Sequence, residues 1–433
     1  MVFVACGGDA AQTLPPQPSP DATRTPSPQP SPDLAETPSP QPGPDVQRIL
    51  EHIRVISEEI GPRIAGSPAN ETAIDYARDQ LEGWGYDVEI QAFMPSAEQA
   101  MRLPSVTVGG AAERELPALT LSGSTAGSVA GTLVDAGTGR AADFGLQNAG
   151  MIVLVQRRDV FFIDMARRAA EAGALALLIA NKEPGIFSGT LEPAASLPVV
   201  AIGQDEGEAL REQLALGPVE VAIEVRTELQ TANVIARPPG SACRTLSGAH
   251  LDSVPGVDGA GDNASGSAVV LELARAAADA GLTGQCFALW GAEEIGLVGS
   301  RSFVSALSSE ERDELRAYYN FDISVDEGEP LVIGSEELVA AVAAAAQREG
   351  IAVETEVVDL EEPRVFSDHI SFIEAGLPAV MITNPAFNRV HTPEDTLANL
   401  TPGALERIAA LGFALLEASA ADPAAGGLPK PVA

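Results

Sequence analysis

Apolar positions along the chain change rhythm several times, and each rhythm predicts a different kind of element. After Asp45, the residues Val46, Ile49, Leu50, Ile53, Ile56 and Ile60 recur at the spacing of one helix face. Asp45 suits an N-cap, and Gly61, Pro62 and Arg63 end the pattern. His52 falls off that stripe, which predicts a solvated surface histidine. A second helix is expected over about 71–84 and a strand in YDVEIQAF. From about 101 to 228 the texture becomes short strand-like runs, PSVTVGG, GSVAGTLVDAG, GMIVLVQR and LPVVAIG, separated by Gly, Ala and Ser. Within this stretch MIVLVQ, FFIDMARRAAEAGA and LALLIAN read as strand, helix and strand. TANVIARPPG then leads into CRTLSGAHLDSVPGVDGAGDNASGSAVV, a strand, a glycine-rich loop and a helix starting near Ala264.

The first 44 residues follow no such rhythm. QPSPDATRTPSP (17–28) is repeated as QPSPDLAETPSP (29–40) and begun again as QPGPD. So much proline favours an extended polyproline II spacer that buries no core. Ahead of it, MVFVACGGDA sets a short apolar stub and Ala5 before Cys6. This looks like the end of a bacterial lipoprotein signal, in which Cys6 is lipidated and tethers the chain to a membrane. No other stretch approaches the ~18–20 apolar residues of a membrane span. At 433 residues the chain has room for two globular domains. Its net charge of −35 argues against a nucleic-acid partner, whose phosphates it would repel.

Candidate chemistry gathers where strands end. His250 closes one strand, Asp252 lies two residues on and projects to the same side, and Asp262 stands at the entrance of the next helix. QCFALW runs into Glu293 and Glu294, AYYNF into Asp322, and His391 sits in NRVHTPEDT. In open α/β sheets, side chains from several strands converge beyond the carboxyl ends. Imidazoles and carboxylates without thiolates suit catalytic zinc, and five ligands suit two ions sharing one carboxylate. One ion would take His250, Asp262 and Asp322. The other would take Asp262, Glu294 and His391, with a water between them. Glu293 then serves as general base, and Asp252 fixes the far nitrogen of the His250 ring.

The motifs GAHLDSV, GAGDNASG, WGAEEIGLVGS, NFD, SDHISF and VHTPEDT resemble the co-catalytic dizinc aminopeptidases among the zinc exopeptidases, over about 45–100 and 229–420. The resemblance implies an α/β fold with a central mixed β-sheet between helices, and it assigns the same ligand pairs. The 101–228 segment resembles a β-rich protease-associated domain, with either a substrate-gating or a merely space-filling role. Some family members carry a tyrosine before the last histidine that helps stabilise the oxyanion; Val390 stands here. Asp368 and His369 are read as walls of the substrate pocket, with a helix N-terminus as the other reading of Asp368.

Cys243 and Cys286 lie seven residues before His250 and Glu293, at matching levels of two strands that enter the site. A disulfide and free buried thiols are both open. The expected organisation is a truncated signal and spacer (1–44), a peptidase domain (45–100 and 229–421), an insert (101–228) and a tail (422–433). The expected activity is removal of N-terminal residues from peptides outside the cytoplasm. A carboxypeptidase or other amidohydrolase is the alternative on the same scaffold, and a non-catalytic surface binding protein ranks below both.

Overall fold

The computed structural model describes residues 43–109, 113–322, 327–361, 363, 365–384 and 388–421. Cys6 and the 422–433 segment lie outside them. The described strands form two eight-stranded mixed sheets.

At the centre of the first sheet, Gln285–Trp290, Thr245–His250, Ala317–Phe321 and Ala379–Thr383 run side by side and parallel. Every residue of these strands is buried, as expected for parallel strands covered on both faces. Alternate side chains serve opposite faces. Phe287 and Leu289 pack under helices Val46–Arg54, Pro68–Gly83, Gly266–Asp279 and Pro402–Ala421. Cys286, Ala288 and Trp290 pack with Phe303 and Phe372 on the other side. Antiparallel partners flank the parallel core: Thr231–Arg237 on one side and Leu331–Gly334 on the other. The result is the expected sheet between helices. Because the central strands are parallel, their carboxyl ends open on one edge.

The second sheet is built from residues between Ser105 and Val225. Its parallel centre joins Gly127–Asp135, Ile152–Gln156, Ala176–Ala180 and Val199–Ile202, with helices Phe162–Glu171 and Gln204–Leu216. The expected strand, helix, strand unit is present in this segment.

Two local expectations need correction. The second helix starts at Pro68 rather than near 71, because Ser67 caps it by accepting from the Asn70 backbone N–H and Pro68 suits the first turn. His52 is buried, not solvated. Its Nδ1 lies 2.6 Å from the Tyr76 hydroxyl, and its ring meets Tyr76 and Trp84 edge-on. The apolar stripe of the first helix covers only one of its two buried sides; the second helix and the residues after it cover the other.

Candidate metal centre

The parallel strands deliver their chemistry to a single edge. His250 is the last residue of its strand, Glu293 and Glu294 follow Trp290, and Asp322 follows Phe321. His391 comes from a turn, with φ of +60°. A non-glycine residue in such a conformation costs ~1–3 kcal/mol and persists only where surrounding contacts hold it. The contacts are at hand: His391 Nε2 lies 3.1 Å from both Asp262 and Glu294.

His250 Nε2 faces Asp262 at 3.1 Å and Asp322 at 3.6 Å. Its Nδ1 lies 3.1 Å from the main-chain oxygen of Asp252. A carbonyl only accepts, so Nδ1 carries the proton and Nε2 is the nitrogen available to a metal. The Asp252 carboxylate stands 3.7 Å from the same nitrogen, but its hydrogen bonds come from the backbone N–H groups of Glu293, at 3.0 Å, and Glu294, at 3.2 Å. Asp252 thus holds the ring through its main chain and the glutamate turn through its side chain.

Asp262 is the hinge of the cluster. Ligand atoms of His250, Asp262 and Asp322 lie within 4.8 Å of one another, and so do those of Asp262, Glu294 and His391. Its loop departs from helical geometry at Asp262 and Asn263 before helix Gly266–Asp279 begins, a little later than the sequence pattern suggests. Asn263 donates to the carbonyl of Phe321 at 2.9 Å and accepts from the Gly266 N–H, tying this loop to the strand that presents Asp322.

The electrostatics show a site short of positive charge. Burial, reinforced by Asp262, lifts Glu294 to about 7, with His391 opposing. Burial lifts Glu293 well above the usual carboxylate range, and Asp368, Glu294 and Asp322 add to it. Burial alone would lower both histidines. Asp322, Asp252 and Asp262 instead hold His250 well above its ordinary value, and Asp262 with Glu294 raises His391 to about 11. Burial would raise Asp262 as well, but the two imidazoles keep it below the ordinary range. Glu294 Oε1 is buried and has no hydrogen-bond partner among the described residues. Carboxylates pushed towards neutrality and an orphaned buried oxygen are what a divalent cation at this place would relieve, so the residues fit zinc.

Two residues that the sequence pattern left unassigned support the cluster. Asp395, in the turn after His391, accepts from the backbone N–H of Gly261 at 2.6 Å and of Asp262 at 3.0 Å. Gly261 has to be glycine for this approach, because a Cβ there would lie 2.8 Å from Asp395 Oδ1. Arg63, fully buried, donates to the carbonyls of Ile56, Gly61, Leu251, Asp258 and Gly259. It thereby pins the segment between His250 and Asp262. Burial lowers its guanidinium to about 10, against the pull of Asp252, Asp395, Asp262 and Glu294. In the sequence Arg63 reads only as part of a helix stop. Asp395, four residues beyond a candidate ligand, was the more visible of the two.

Asp368 and His369 are both fully buried, and among the described residues their side-chain atoms make no hydrogen bond of good geometry. Asp368 makes no capping bond to its own short helix. Burial raises it to about 7 and lowers His369 to about 4. A cleft of about 110 Å³ reaches the cluster, lined by Asp252, Glu294 and His391 together with Leu119, Ile186 and Ser188 of the second sheet's domain.

The profile of Peptidase family M28 matches residues 233–416, and that of the PA domain matches 129–210. The solved aminopeptidase from Aneurinibacillus sp. strain AM-1 is 30% identical, covering 86% of this chain and 94% of its own, with a TM-score of 0.54. The chain belongs to peptidase family M28. Another M28-like structure, BSAP, a zinc aminopeptidase from Bacillus subtilis, is 27% identical, covers 86% of this chain and 95% of its own, and has a TM-score of 0.64. The probable lipoprotein aminopeptidase LpqL of Mycobacterium tuberculosis is 36% identical over 61% of this chain. The match spans 55% of that relative's own length. The expected zinc-exopeptidase fold, here that of family M28, and the inserted protease-associated (PA) domain are therefore both present.

Proposed function

We propose that this M28 chain is a zinc-dependent aminopeptidase that holds two zinc ions and removes N-terminal residues from peptides. The observation that carries the reading is Asp262, whose two oxygens each face a different imidazole, His250 on one side and His391 on the other. His250 and Asp322 complete one ligand set with it, and Glu294 and His391 the other. Zinc bound there would acidify water and polarise the scissile carbonyl.

The chain's own residues supply the rest. Glu293, held by its backbone N–H on Asp252, has a carboxyl with raised proton affinity, suited to take a proton from water and pass it to the leaving amine. Val390 brings no hydroxyl to the oxyanion, so no tyrosine acts at that position. The residues lining the cleft from the inserted domain support a role in enclosing substrate.

We place the enzyme outside the cytoplasm. A disulfide joins Cys243 to Cys286, and such bonds persist in oxidising compartments. The lipoprotein relative and the MVFVAC stub support a lipid anchor at Cys6. Among the described residues no helix is long and apolar enough to cross a membrane.

The test joins metal analysis to kinetics for Glu293→Gln. Zinc content should stay at two per chain while kcat falls by ~10²–10⁴, the usual worth of a general base. Near-normal turnover would refute the role of Glu293. Peptides with acetylated N-termini should not be cleaved, and efficient cleavage of them would point to another amidohydrolase.

A further inference from the structure

The cleft at the metal centre continues away from it. The cavity touching Glu294 and His391 shares Arg102, Leu119 and Ser188 with a larger one of about 300 Å³, which runs on past Ser122, Ser124 and Thr190. The two cavities are one groove, and much of its wall comes from the inserted domain. Among the described residues, Arg102 is the one lysine or arginine lining either part. It follows the short helix Ala97–Met101, and its carbonyl accepts from the Thr120 N–H at 3.2 Å, which fixes its backbone against strand Ala118–Thr120.

The guanidinium of Arg102 is exposed, and no carboxylate among the described residues pairs with it. Acids are not scarce: the chain has 61 Asp and Glu against 26 Lys and Arg. Even Glu98, which also lines the larger cavity, makes no ion pair with Arg102. The groove therefore carries an unpaired guanidinium on the wall that its two parts share, beside the path a substrate would take away from the metal centre. A guanidinium so placed matches a carboxylate on the part of a substrate beyond the scissile bond.

We propose that this groove receives the leaving portion of a short peptide and that Arg102 binds a carboxylate there. The carboxylate is either the C-terminus of a di- or tripeptide or an acidic side chain just beyond the scissile bond. The proposal rests on the peptidase reading of the metal centre, and it narrows the substrate class to short peptides bearing a negative charge beyond the scissile bond.

Three probes separate the cases: Leu-Ala-Ala as the free acid, the same peptide as its C-terminal amide, and Leu-Asp-Ala amide. Each is measured for kcat/KM with the zinc-loaded enzyme and for direct binding to the metal-free chain by calorimetry, in wild type and Arg102→Gln. A carboxylate probe should be favoured over the plain amide by about two- to fivefold, mostly in KM, the worth of one exposed charge-assisted pair. The ratio should fall to about one in R102Q, and in wild type it should shrink as salt is raised. Preference for the free acid assigns the terminal carboxylate; preference for the aspartyl amide assigns the side chain. Equal rates on all three, or a preference that survives R102Q, would overturn the groove and leave the peptidase standing. Absence of turnover with Arg102-dependent binding would do the reverse.

Discussion

Asp395→Asn is the most informative perturbation of the metal centre, because the residue touches no ligand through its own coordination yet joins two ligand-bearing segments. The residue is 5% exposed, in the turn that presents His391, and its carboxylate accepts two backbone N–H groups from the loop that presents Asp262. Asparagine keeps the volume. Its amide oxygen still accepts one N–H, but its NH2 turns a donor towards the other. One charge-assisted bond in a buried place is lost, worth ~1.5–3 kcal/mol. An opposing effect exists: burial and the nearby Asp262 charge already hold the Asp395 carboxyl above its ordinary value, so neutralising it relieves some repulsion in the metal-free protein. With zinc bound that repulsion is offset, and the lost bond is felt in full. The variant should therefore weaken zinc binding by ~10–100-fold, the scale for partners that orient metal ligands. Its metal-free melting temperature should change little. Chelator competition measures the first and calorimetry in excess chelator the second. Zinc affinity within twofold of wild type would refute the account of Asp395 as the link between the two loops.

Two further expectations concern parts of the fold away from the cluster. Burial lowers His52 to about 4 against an ordinary 6.5, so the folded state binds fewer protons than the unfolded state between those values. Stability from this group is complete above about pH 6.5 and is lost as pH falls towards 4, by up to ~3 kcal/mol; His52→Gln should flatten that part of the pH–stability curve, and an unchanged slope would contradict the assignment. The disulfide closes a separation of 43 residues, so replacing both Cys243 and Cys286 by alanine should cost up to ~4 kcal/mol in chemical denaturation while zinc stays bound. Loss of zinc in that variant would show that the bond holds the site as well as the fold.

How much was legible in the sequence varies by kind of residue. His250, Glu293, Glu294 and Asp322 are legible because each stands at or just past the end of an apolar strand, and parallel strands buried on both faces must release their polar residues at the ends, whereas Asp262 is legible from its place in a glycine-rich loop at the entrance of a helix. His391 was recognisable only through its neighbours in VHTPEDT, since no strand carries it directly. The sequence sets Cys243 and Cys286 at matching strand levels and leaves a disulfide and free thiols both open; the register does not follow that level argument, since Cys286 lies opposite Leu246 and Cys243 precedes its strand. The bond forms because a loop residue brings its Cα to within 5.4 Å of the other.

The chain's local pattern therefore determined the element types, the order of the candidate ligands and the presence of an inserted unit, since these depend on side-chain periodicity and on turns. Tertiary structure decided what each polar group meets. It buried His52 between two helices, turned the Asp252 carboxylate to the glutamate backbone, and set Arg63 and Asp395 beneath the cluster. Such pairings join residues as much as 196 positions apart, as Arg63 and Gly259 are. Hydrogen bonds depend on position and direction in space, and helical or strand periodicity carries neither across that distance.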